Sequence, residues 1–167
     1  MKQIRKSVFE TNSSSVHAIV IHTDETIDLS EVTAITFSFD EFGWSRDKYY
    51  SMQNKADYLW TGIHSYYNYS TVLDIKDKIE SWFYEDKISC NFSEEIENRY
   101  WSQGFIDHSE DLGEFLNWVL ESKENLYQFL FTSGSFVETG NDNGDENSRP
   151  YEGLRMQDVD GYLVFIK

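Results

Sequence analysis

Three stretches of this chain carry residue types at spacings that could do chemistry. In the first, Asn12, Ser13, Ser14 and Ser15 lie two to five residues ahead of His17 and just before the apolar strand Ala18-Ile19-Val20-Ile21. Backbone N–H groups and hydroxyls in such a run can converge on an anion, with the imidazole supplying a proton or a charge. A serine nucleophile would also need a third group placed in space, which spacing along the chain does not supply. The same side chains bond readily to nearby backbone, so a plain hydrogen-bonded turn is the preferred reading and the anion site its alternative. The second stretch, Gly140-Asn141-Asp142-Asn143-Gly144, alternates acids and amides beside glycine. It resembles a calcium loop but lacks the closing glutamate at EF-hand spacing, and it reads as a loop with a metal or polar-ligand site as the alternative. The third is Phe42-Gly43-Trp44 after Asp40 and Glu41. Its glycine lets the chain reverse, and its aromatics form either a packed corner or one wall of a pocket.

No metal or cofactor is expected from these groups. His17 and His22 are five residues apart and point to opposite faces of a regular strand, so they cannot share an ion. Cys90 is the single cysteine, which rules out an internal disulfide and any multi-cysteine zinc motif. No basic pair flanks it to lower its pKa, so it reads as a small buried hydrophobe.

The elements that must position these stretches follow from hydrophobic period. The segment 17–23, apolar on both faces, predicts a central strand. Ala34 to Phe39 alternates as a strand, and Lys87 to Phe92 and Gly161 to Ile166 read as strands, the last one interior. Leu126 to Phe131 also reads as a strand, and Phe136 to Glu138 resumes one after the polar loop Thr132-Ser133-Gly134-Ser135. Helical spacing runs from Arg46 to about Tyr67 behind a Ser45 cap, with an apolar stripe through Lys55-Ala56-Asp57-Tyr58-Leu59-Trp60-Thr61. A second helix is predicted after a Thr71/Asp74 capping box, a third after Ser93 and a fourth after Ser109. On the fourth, Glu110, Asp111, Glu114 and Glu121 form an outward row of carboxylates. The prediction is a single α+β domain over residues 1–167, with a mixed or mostly antiparallel sheet packed against three to four helices.

Charge bounds the function class. Thirty acidic against 14 basic residues give a net charge of −16. Direct binding of nucleic acid is disfavoured, because affinity for the phosphate backbone comes from Lys and Arg. A basic partner surface is favoured, with plain solubility as the bland alternative. The aromatic content of 17% argues for a packed core rather than an acidic tail. The chain lacks an apolar run of spanning length or a signal-peptide core, so the expected location is the cytoplasm.

Val8-Phe9-Glu10-Thr11-Asn12-Ser13-Ser14-Ser15-Val16-His17, Phe42-Gly43-Trp44, residues 55–61 and Thr139-Gly140-Asn141-Asp142-Asn143 together resemble signature stretches of a family of small uncharacterised proteins of tailed phages and prophages. The resemblance implies action inside an infected bacterium and brings no catalytic residues with it. It also implies that Ser13 to Ser15, His17, Trp44 and Asn141 to Asn143 belong to one feature at an end of the sheet. The resulting expectation is a phage-encoded acidic protein, a binding protein rather than an enzyme on balance, that occupies the basic surface of a host nucleic-acid-handling defence enzyme of the CRISPR or restriction type. The alternatives are a small-molecule or nucleotide site, or an enzyme, built from the polar loops, and a structural or assembly partner of phage particles.

Overall fold

Nine consecutive residues of one helix, Lys55 to Ile63, are buried, and the other elements are arranged around them. The computed structural model describes residues 15–43, 47–94, 104–106, 112–141, 157–159 and 161–166. The buried helix, α1 (Met52–Tyr66), starts where the Ser51 side chain accepts a hydrogen bond from the Asn54 N–H at 3.1 Å. A helix with no wet face needs neighbours on every side. Those neighbours are the strands β2 (Ala34–Phe37) and β6 (Phe105–Ile106) and the helices α2 (Tyr69–Glu85), α3 (Gly113–Val119) and α4 (Lys123–Phe131).

The main sheet is antiparallel throughout, in the order β4 (Asp47–Tyr49), β7 (Phe136–Asn141), β1 (Ser15–His22), β9 (Tyr162–Ile166), β8 (Gln157–Val159). The two-sided apolar pattern of β1 and the unbroken apolar run of β9 both predict interior strands, and both strands are interior. Ile19 and Ile21 of β1 are almost fully buried beneath α4. Phe165 of β9 meets Phe115 of α3 edge-on at 5.7 Å. Beyond α1 lie two short parallel pairs, β2 with β5 (Ser89–Phe92), and β3 (Glu41–Phe42) with β6. Phe37 and Phe92 stack across the first pair at 4.8 Å, and Phe83 of α2 closes on Phe37 at 6.2 Å. Four helices and a largely antiparallel strand set among the described residues make the predicted α+β class correct.

Several sequence-predicted elements are corrected. Leu126 to Phe131 is helical, part of α4: Ser122 accepts from the Asn125 N–H at 3.2 Å, and Leu126, Tyr127, Phe129 and Leu130 are buried. That i, i+1, i+3, i+4 set belongs to one helix face, which a short apolar run cannot distinguish from a strand. The segment from Arg46 to Tyr67 is not one helix, because β4 adds to the sheet edge before α1 begins at Met52. Asn68, not Thr71, caps α2, accepting from the Thr71 N–H at 3.1 Å. Helix α3 starts at Gly113 behind Leu112, three residues later than a Ser109 cap would place it. Ser93 and Glu94 are not helical, and the rest of that predicted helix lies outside the described residues.

Candidate functional site

The heptapeptide Lys55 to Thr61 reads in sequence as an apolar stripe, but its polar members each hold a different piece of chain against α1. Asp57 accepts from the Ser38 N–H at 2.8 Å and from Gln53 Nε2 at 2.7 Å, fixing the end of β2. Thr61 Oγ1 accepts from the Asp40 N–H at 3.2 Å and so steadies the turn into β3. Gly43 completes that turn at φ 107°, and Phe42 packs edge-on against Tyr49 and Tyr58. Trp60 Nε1 donates to the Ser93 carbonyl at 3.0 Å, just past β5. Burial raises the Asp57 carboxyl pKa, an effect its two donors only partly oppose.

Lys55 does the most demanding work of the four. Its ammonium, on a residue only 1% exposed, donates to the carbonyls of Thr132 at 3.0 Å and Ser135 at 3.2 Å, so it caps the C-terminus of α4 from inside the protein. Desolvation lowers its pKa to about 8, partly offset by the charge of Glu25. Glu25 closes the same turn from outside. It accepts from the backbone N–H groups of Ser133 at 3.0 Å and Gly134 at 3.1 Å and pairs with His22 Nδ1 at 3.0 Å. Those backbone donors, followed by His22, lower its pKa to about 2. A Cβ on Gly134 would stand 2.9 Å from His22 Nδ1, so the turn needs glycine for close approach. The Ser135 hydroxyl accepts from the His22 backbone N–H at 2.8 Å and donates to the Gln128 carbonyl at 3.1 Å. Hydroxyl and imidazole are therefore oriented toward structural partners, and this serine loop is a latch between α4 and β7.

Strand register bears on the sequence-chosen polar loops. Ser15 pairs with Asn141, His17 with Thr139, and Thr139 with Asp47 on its other side. The segments that lead to Ser13–Ser14, to Trp44 and to Asp142–Asn143 therefore leave the sheet at one end. Asn12, Ser13, Ser14, Trp44, Asp142 and Asn143 themselves lie outside the described residues. Of the acidic row, Glu114 is exposed on α3 and Glu121 is exposed just after it, while Glu110 and Asp111 also lie outside the described residues.

The sequence reading missed a second acidic face. Along α2, Asp74, Asp77 and Glu80 are exposed, together with Tyr69, Leu73 and Tyr84. Their helical spacing is present in the sequence, on the face opposite the buried Val72, Ile75, Ile79 and Phe83. Cys90 faces this region, and burial and then the nearby charge of Glu80 push its thiol up to about 12. It is therefore no nucleophile at neutral pH. Among the described residues, no three His, Cys, Asp or Glu side chains gather to hold a metal ion, and no helix is long and apolar enough to cross a membrane. Comparison with protein-family models, with curated proteins and with solved structures finds no match to this chain.

Proposed function

We propose that this is an acidic binding protein, phage-encoded, which inhibits a host nucleic-acid-handling defence enzyme by occupying its basic surface. The observation that carries this reading is how the described charges are distributed. Four of the six described lysines are engaged within the fold: Lys55 on the α4 carbonyls, Lys78 on the Leu120 carbonyl at 2.7 Å, Lys48 on Glu138 at 3.2 Å and Lys123 on Asp86 at 2.8 Å. Asp74, Asp77, Glu114 and Glu121 are exposed with no basic partner among the described residues. Carboxylates fixed on or beside rigid helices and left unneutralised suit a partner whose own surface is arranged to hold phosphates.

The test is capture of the tagged protein's partners from nuclease-treated bacterial lysate, eluted along a salt gradient. A nucleic-acid enzyme should elute with salt. It should be lost when Glu110, Asp111, Glu114 and Glu121 are reversed to lysine, and kept in His17→Ala and Asn141→Ala. Capture that ignores the charge reversal would overturn the reading.

The Ser15–Asn141 register supports a second reading, a small-molecule or nucleotide site formed by the polar loops at that end of the sheet. Here the two sets of substitutions have opposite effects: His17→Ala and Asn141→Ala abolish ligand binding, and the charge reversal spares it.

A further inference from the structure

We infer that the groove between α2 and β5 takes an extended basic peptide, which adds as a strand to the open edge of β5. This rests on the acidic-binding reading and gives it a different contact, a peptide groove in place of the carboxylates Glu110, Asp111, Glu114 and Glu121.

The argument starts from backbone direction. In a parallel ladder, alternate residues of a strand direct both N–H and C=O toward the same neighbour. Ser89 donates to the Thr33 carbonyl at 3.0 Å and Ser93 to the Phe37 carbonyl at 2.9 Å, so the odd-numbered residues of β5 face β2. The N–H and C=O groups of Cys90 and Phe92 therefore point the other way, and β5 has no second strand partner among the described residues. The far edge of β2 is treated differently. There the Thr36 carbonyl accepts from Gln53 Nε2 at 2.9 Å, and α1 covers the edge. Proteins commonly blunt or cover exposed strand edges, which makes the unequal treatment of this two-stranded unit informative.

Beside the open edge lies a groove of about 660 Å³, with Ile88 and Cys90 lining one side and Asp77, Glu80, Ser81, Tyr84 and Glu85 of α2 the other. Asp77 has no basic partner among the described residues, and Glu80 has only Lys76, at 3.9 Å. Tyr84 is 83% exposed and offers a ring to a guanidinium or an alkyl stem. The β5 edge supplies backbone bonds that any extended chain can use, and the α2 carboxylates select one bearing Lys or Arg on alternate positions. The groove is distinct from the cluster around Lys55 and from the sheet end where the polar loops leave.

The probe is a fluorescein-labelled peptide alternating lysine and valine. Its comparisons are a copy N-methylated on alternate backbone nitrogens and a glutamate-valine counterpart. Amide hydrogen exchange is read at Cys90, Phe92 and Ser89. In the free protein the Cys90 and Phe92 amides should exchange faster than that of Ser89, and the peptide should slow them by about tenfold or more. N-methylation, and separately Asp77→Lys with Glu80→Lys, should each weaken binding by at least about tenfold. Slow exchange at Cys90 and Phe92 without peptide would overturn the inference, since the edge would already be covered. Equal binding of the N-methylated peptide would overturn it too, by showing charge attraction without strand pairing. Either result leaves the lysate capture of the acidic protein unaffected, so the two proposals fail separately.

Discussion

Glu25 and Lys55 hold the turn between α4 and β7 from opposite sides, one at the surface and one buried, and each makes stability depend on pH in its own window. The Glu25 pKa falls from 4.5 to about 2 on folding, so its stabilisation is complete above pH 4.5 and is lost as pH drops toward 2. Glu25→Gln, which gives up two charge-assisted backbone bonds, should cost about 1–2 kcal/mol at neutral pH. In urea unfolding, that deficit should shrink as the pH is lowered through the same window. Lys55 works the other way. Its pKa drops from 10.5 to about 8, so between those values the unfolded chain holds a proton that the folded chain has released. Stability contributed at this residue therefore rises with pH across that range. Measured against Lys55→Met, the wild-type protein should gain up to about 3 kcal/mol between pH 7 and the top of the window. Neither role was legible beforehand. Lys55 sits in a heptapeptide whose period says only that it is helical, and Glu25 sits in an acidic connection that looks like any solvated loop. What gives both residues their work is the turn at 132–135, far away along the chain.

At the scale of elements, caps and burial decided what local pattern left ambiguous. The α4 segment has Ser122 and Glu124 at its start, ordinary helix signals that an apolar hexapeptide outweighed in the sequence reading. Ser122→Ala should lower stability by about 1 kcal/mol, measured by denaturant midpoint, because it removes the acceptor for the Asn125 N–H. The strands β1, β2, β5 and β9 were legible because alternation or two-sided apolarity is a property of a few adjacent residues. The burial of α1 on all sides was not. Asp57 and Thr61 look like outward positions until the chain at 38–40 is folded over them, and nothing within the helix announces that contact. For the candidate site, the acidic positions Glu114 and Glu121 were correctly read as outward, whereas the groove at α2 needs the β5 edge to be seen at all.

Across the whole molecule, 30 acidic residues against 14 basic ones set up self-repulsion that added salt should relieve. The thermal midpoint is expected to rise as sodium chloride is raised from about 20 to about 300 mM, a range over which the screening length becomes short against the molecule. A midpoint that falls would mean that the ion pairs at Lys48, Lys76 and Lys123 outweigh the repulsion. The arrangement of the main sheet has a further consequence, for a chain still being made. Strand β1 leaves the ribosome early, but the strands that flank it, β7 and β9, come from the last part of the sequence. Until they emerge, a nascent chain carries an apolar strand with both edges open, so a chaperone that shields strand edges is expected to hold nascent chains that stop before β7 and to release those that include β9.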